Sequence, residues 1–203
     1  MAKKKQNDKK DERISDFLFE VGTMRKLLRM HRQVLFTEDT TDSIATHSYR
    51  VSLIAWMLAK LEGVDPYKVV MMALMHDFGE IRTGDHNWIH KKYVKIFEDE
   101  IAEEQLGTLP FKDLFEFTKE YEKRESIESI ITKDADVIDQ ILLLREYEWQ
   151  GNKEARTWLE GKRGPKSKVM VRLKLASSKK LAEEISKRDP SKWWVNIYTG
   201  KNR

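Results

Sequence analysis

The chain contains no cysteine. That absence excludes disulfides, thiolate nucleophiles and cysteine-ligated zinc or iron–sulfur clusters, and leaves His, Asp and Glu as the side chains able to hold a metal. Long apolar runs are missing too. Nothing approaches the ~18 apolar residues of a membrane span, so no membrane partner is expected. No stretch alternates apolar and polar residues in the manner of a strand. The basic N-terminus, Met1 to Lys10, has no apolar core behind it and is not expected to be a signal peptide. A thiol-free chain is compatible with a reducing cytoplasm, the expected location.

What is present reads as one all-α domain of 203 residues with 35 % charged side chains. Residues 1–12 are expected to form a disordered basic tail, 13–190 a helical bundle and 191–203 a C-terminal tail. The net charge of +4 comes largely from the first tail and from the basic run Lys162 to Lys168. Such runs usually form solvated tails and loops, with nucleic-acid contact as the minority reading. Helical periodicity predicts helices over 16–30 and from near Thr46 to Gly63. A third opens with Asp65 and Pro66. Further helices are predicted over 91–106, from Pro110 to Tyr121, from Ser126 to Gly151, over 153–159 and over 168–187. The helix after Ser126 is apolar around most of its circumference and should cross the middle of the fold. Trp193 and Trp194 are expected to dock on the body.

One stretch organises the rest: Ala73-Leu74-Met75-His76-Asp77-Phe78-Gly79-Glu80. An apolar run ends in an imidazole beside a carboxylate, with a second carboxylate one helical turn later. Burying an unpaired charge costs several kcal/mol, roughly, so this pair asks for a compensating partner. His47 lies on the apolar face of the preceding helix, and Asp134, Asp136 and Asp139 interrupt the apolar surface of the central one. Singly, each has a bland reading as a hydrogen-bonded core residue or an ion-paired carboxylate. Jointly, in a chain without thiols, they suit a mixed nitrogen and oxygen site for one divalent metal: Mn, Co, Fe, Ni or Zn, with Mg admitted. Asp134 and Asp139 compete with Asp136 as the last ligand. His86 and His90 are spaced for a second metal if their segment is helical, and Trp88 could stack on a base or simply pack.

The order His47, His76-Asp77, Asp136 resembles the signature of the HD-domain metal-dependent phosphohydrolases, and within them the branch of 5′-deoxynucleotidases. The similarity extends to Arg32, fifteen residues before His47, and to His47-Ser48. It includes Glu80, the Thr83-Gly84-Asp85 turn and the run Lys133-Asp134-Ala135-Asp136. The resemblance implies an HD-type helical bundle with a central metal held by His47, His76, Asp77 and Asp136. It gives Glu80 the task of positioning or deprotonating the attacking water, or of protonating the leaving oxygen. Asp85 would contact the sugar 3′-hydroxyl or assist proton transfer, and Arg32 would hold the phosphate. The implied reaction removes phosphate from nucleoside 5′-monophosphates, most of all 2′-deoxynucleotides. A homodimer is implied because relatives are often dimers, with the segment Glu146 to Trp149 as one surface for it. The chain departs from the family pattern at three places: Thr46 replaces an acidic residue, Arg32-Gln33-Val34-Leu35 carries no tryptophan, and His86 to His90 carries no proline. No GYP-type motif for cyclic-dinucleotide cleavage is present. The competing classes are an HD hydrolase of another phosphoester, a basic nucleic-acid-binding accessory, and a non-catalytic scaffold.

Overall fold

A computed structural model describes residues 2–163 and 169–197, and among these there is no strand. The helices are α1 (Ala2–Val21), α2 (His31–Leu35), α3 (Ile44–Glu62), α4 (Pro66–Met75), α5 (Glu80–Thr83), α6 (Trp88–Tyr93), α7 (Glu98–Ala102), α8 (Asp113–Lys123), α9 (Ile127–Trp149), α10 (Lys153–Leu159) and α11 (Ala176–Lys187). The all-α expectation holds.

Local chemistry sets the boundaries of the helices that build the site. Ser43 accepts the Thr46 N–H at 3.2 Å while the Thr46 hydroxyl accepts the Ser43 N–H at 2.9 Å, a capping box that starts α3. The helix ends at Gly63, whose φ of +69° is open to glycine without strain. Asp65 caps α4 by accepting the Tyr67 N–H, with Pro66 in its first turn. Ser126 and Asn152 cap α9 and α10 in the same way.

α9 runs through the centre, packed by α3, α4, α8, α10 and α11. Its Ile131, Ile138, Ile141 and Leu144 are 0 to 1 % exposed. Each such side chain contributes roughly 1.5–3 kcal/mol of burial free energy. They anchor a core with Val51, Leu58, Val69 and Ala73. A second cluster gathers Phe17, Met24, Ile44, Met75, Phe78, Leu106, Leu109 and Phe115. His47 follows Ile44 of the second cluster and precedes Val51 of the first, and His76 lies between Ala73 of the first and Phe78 of the second. The site residues therefore sit at the junction of the two clusters.

Four boundaries differ from the sequence reading. The first helix runs from Ala2 to Val21, taking in the segment expected as a tail, and residues 7–12 on it are exposed. It stops at Gly22, a poor helix former, where Thr23 donates back to the Glu20 carbonyl at 2.7 Å. The helix expected over 91–106 is instead two. Asn87 caps an earlier start by accepting the Ile89 and His90 N–H groups, and Val94 turns extended at φ −113°. Val94 and Phe97 consequently remain exposed. The helix expected from Pro110 begins at Asp113. The last helix begins at Ala176, because the buried Asp134 carboxylate accepts the Lys174 and Leu175 N–H groups immediately before it. Trp193 and Trp194 are exposed, at 78 % and 53 %, rather than docked. Residues 164–168 of the basic run and 198–203 of the C-terminal tail lie outside the described residues.

Candidate metal centre

Three helices bring the polar cluster together. His47 stands in the first turn of α3, His76 and Asp77 close α4, and Asp136 projects from the middle of α9. The Nε2 atoms of His47 and His76 are 3.2 Å apart. Asp77 Oδ2 is 3.3 Å from His47 Nε2 and 3.1 Å from His76 Nε2, and Asp136 Oδ1 is 3.5 Å from His47 Nε2. His47, His76 and Asp136 put ligand atoms within 4.8 Å of one another, the one such group of three or more among the described residues. Asp77 stands against both imidazoles but outside that group of three, so the four sequence-predicted residues share one neighbourhood with His47, His76 and Asp136 as its tightest set.

The outward nitrogens decide how the inward ones behave. His76 Nδ1 donates to the Ala73 carbonyl at 2.7 Å, and His47 Nδ1 donates to Asp139 at 2.6 Å. With both Nδ1–H groups engaged, the two Nε2 atoms face each other next to two carboxylates, and each offers a lone pair there once it gives up its proton. Four electron-rich groups facing one another at such distances fit a cation at their centre, and the nitrogen and oxygen donor set suits a divalent transition metal. Asp139 also takes the role left open by Thr46. It orients His47 from α9 and is itself held by Arg50 and, at 3.6 Å, by Arg29.

The charges respond to this crowding. Burial and the nearby Arg29 oppose protonation of His47, but the hydrogen bonds to Asp139 and Asp77 outweigh them and lift its pKa to about 9. Burial acts against ionisation of Asp77 as well, yet the two imidazoles hold it well below the usual carboxylate range. Glu80 goes the other way: burial, then Asp77 and Asp85, push it far up. One of its carboxyl oxygens is buried without a hydrogen-bond partner. Asp85 is buried beside it and accepts the Met30 N–H.

Arg32 stands apart. It pairs with the fully exposed Glu38 at 3.4 Å. The guanidinium at the centre is Arg29, 6 % exposed, with buried Nε and Nη1 atoms that have no hydrogen-bond partner. Burial works against its charge, but Asp77, Asp136, Asp42 and Asp139 hold it protonated. Sequence reasoning missed Arg29. The available signal was an arginine inside the apolar run Leu27-Leu28-Arg29-Met30. His31 accepts from Arg29 at 3.1 Å and packs edge-on against Trp158.

A cavity of about 190 Å³ opens beside His76, Asp77 and Glu80, with Lys91, Arg124 and Lys133 on its wall. The break between α6 and α7 lets this segment bend over the cavity, contributing Lys91, Ile96, Glu98 and Ile101. Lys133 reaches Asp136 at 2.7 Å. The remaining candidates have other work. Asp134 holds the backbone ahead of α11. Trp88 stacks on Trp158 at 5.1 Å. His86 and His90 meet at 5.6 Å between ring centroids, without a third ligand group. In the segment Glu146 to Trp149, Tyr147 is buried and bonded to Asp39, Glu146 pairs with Arg50, and Glu148 pairs with Arg145 and Arg156. Only Trp149 is left to meet a partner there.

A helical bundle that brings two histidines and two aspartates together in this way offers a donor set that fits a metal ion. The chain belongs to the HD-domain family, whose model matches residues 23–175. It is 30 % identical over 152 residues to the 5′-deoxynucleotidase HDDC2 of Dictyostelium discoideum, covering 68 % of this chain and 80 % of that protein. The human 5′-deoxynucleotidase HDDC2 matches at 30 % identity over 152 residues, covering 70 % and 72 %. Among solved structures, a conserved hypothetical protein from Pyrococcus furiosus superposes with a TM-score of 0.68 at 26 % identity, over 85 % of this chain and 99 % of that one. A protein from Magnetospirillum magnetotacticum described as a metal-dependent phosphohydrolase shares the fold, with a TM-score of 0.65 at 23 % identity over 87 % and 91 %.

Proposed function

We propose that this chain is a metal-dependent phosphohydrolase that removes phosphate from nucleoside 5′-monophosphates, with 2′-deoxynucleotides as the preferred class. One observation carries the reading: two imidazole Nε2 atoms 3.2 Å apart, their Nδ1 atoms already engaged, beside two carboxylates at the head of a cavity. The named activity of the HDDC2 relatives supports the substrate class.

His47, His76, Asp77 and Asp136 would hold one divalent ion, Mn, Co, Fe, Ni or Zn, with Mg admitted. Bound there, it supplies Lewis acidity that neutralises phosphoryl oxygens and acidifies a water. The protein's own groups do the rest. Arg29, whose Nε and Nη1 lack hydrogen-bond partners, puts a fixed positive charge behind the ligands that favours a phosphate there. Arg32, half-buried, takes an outer contact if it leaves Glu38. Glu80 exchanges a proton with the attacking water or the leaving 5′-oxygen. Burial and the neighbouring Asp77 and Asp85 favour its protonated form, and positive charge facing Asp77 would weaken that preference. Asp85 meets the sugar 3′-hydroxyl or passes protons to Glu80. As water attacks phosphorus, the bond to the 5′-oxygen breaks and that oxygen leaves protonated.

The substrate class favours a cytoplasmic location, and no described helix is long and apolar enough to cross a membrane. The partner proposed for the chain is a second copy, meeting through exposed apolar side chains of α3 and α4.

The test is phosphate release by EDTA-stripped protein, with Mn²⁺, Co²⁺, Mg²⁺ or Zn²⁺ restored, against dNMPs, NMPs and dNTPs. Metal-restored release from dNMPs is expected, lost together with metal in Asp77→Ala. Glu80→Ala should keep the metal and lose roughly 10²–10⁴-fold in turnover. Release from triphosphates alone, or silence with metal bound, rejects the monophosphate reading. A full rate in Glu80→Ala rejects its role.

A further inference from the structure

The cavity wall carries a cation that the proposed hydrolysis does not use. Arg124 follows the last turn of α8 with φ at +56°, a left-handed conformation that suits glycine and strains a branched-off side chain. Its guanidinium carbon lies 3.1 Å from the Tyr121 ring centroid, and Tyr121 in turn packs against His76 with centroids 5.8 Å apart. Arg124 is thus one aromatic ring removed from the metal ligands. Its Nη1 is buried and has no hydrogen-bond partner, and the nearest carboxylate, Glu122, stands 3.9 Å from Nη2, beyond hydrogen-bond reach. Lys91 lines the same cavity. A third of the Arg124 side chain is open to water, but its Nη1 N–H is enclosed without an acceptor, which an anion in the cavity would supply.

We propose that Arg124, with Lys91, forms a second anion subsite in the cavity, which receives a phosphate of the bound nucleotide other than the one that is cleaved. The inference rests on the nucleotide-phosphohydrolase reading and narrows it. The scissile phosphate is served by Arg29 at the ligands, whereas Arg124 is set back behind Tyr121. The favoured ligands are therefore nucleotides bearing two phosphoryl groups, as a 3′,5′-bisphosphate or a 5′-diphosphate.

Binding, rather than turnover, separates this proposal from the parent reading. Isothermal titration of metal-free full-length protein with dAMP, dADP and 2′-deoxyadenosine 3′,5′-bisphosphate gives three affinities. At least one doubly phosphorylated probe is expected to bind about tenfold or more tightly than dAMP. In Arg124→Gly, which relieves the left-handed strain and so should fold, that excess should vanish while dAMP affinity stays within about twofold. Arg124→Lys should restore part of it. Equal affinities in the wild type, an excess that survives in Arg124→Gly, or no binding of any probe each overturns the subsite. Phosphate release from dNMPs can fail or succeed independently of these results.

Discussion

His31 is held neutral by its surroundings. Burial, followed by the adjacent Arg29 charge, lowers its pKa to about 3. An unfolded histidine titrates near 6.5. Between those values the unfolded chain carries a proton that the folded chain refuses, so stability falls as pH drops from about 6.5 towards 3. Glutamine in its place can still accept from Arg29 and does not titrate. Urea denaturation at pH 7.5 and 4.5 should therefore show the wild type losing about 2 kcal/mol more than His31→Gln over that interval. Equal losses would mean that His31 is charged in the folded protein. The same residue scale shows what the sequence discloses. His47, His76, Asp77 and Asp136 stand out because their side chains are expensive on apolar faces, so their positions alone call for a shared partner. Arg29 and Arg32 lie one turn apart in a basic segment, and neither composition nor spacing says which one folds inward. Only the bridge between Leu28 and Ser43, which fixes the chain ahead of α3, does that.

At the scale of elements, helices with a cap and a clear stripe, α3, α4, α9 and α10, were legible because the same residues that start them also bury them. Where the structure parts from periodicity, a tertiary contact has won. α6 and α7 break because their segment serves as a cavity wall, leaving Val94 and Phe97 exposed although their spacing suits a buried stripe. The late start of α11 has a single cause. Asp134, fully buried on α9, accepts the Lys174 N–H at 3.0 Å and the Leu175 N–H at 2.9 Å. Asp134→Ala leaves those donors without a partner, at roughly 1–3 kcal/mol each. The variant should be destabilised by about 2–4 kcal/mol in urea while its Mn²⁺ affinity, measured by titration, changes less than about twofold. Loss of metal with little loss of stability would instead make Asp134 a ligand and remove its structural role.

At the scale of the molecule, the inner surfaces of α3 and α4 build the core and bring in His47 and His76, yet their outer surfaces are apolar too. Tyr49, Leu53, Trp56, Met57 and Leu61 recur at steps of three and four on α3, and Tyr67, Met71 and Leu74 do so on α4. All eight are exposed, Leu61 at 66 % and Tyr67 at 77 %. The two helices pack side by side. A patch of this kind exceeds the scattered apolar residues of an ordinary surface, and a stable partner interface needs about 800 Å² from each side. A helix pair presented to its own copy meets that need by two-fold symmetry, with each stripe covering the other. Sedimentation of the wild type should give twice the chain mass. Leu53→Glu combined with Met71→Glu should give the monomer, because charges placed opposite each other across a symmetric apolar seam are desolvated without a partner. Both positions are open to water in the monomer, so far-UV ellipticity and Mn²⁺ stoichiometry should be unchanged. A monomeric wild type, or a double variant that stays dimeric, would detach these stripes from self-association. Since His47 and His76 face inward from these helices and Asp136 comes from α9, monomerisation is also expected to leave the proposed metal centre assembled.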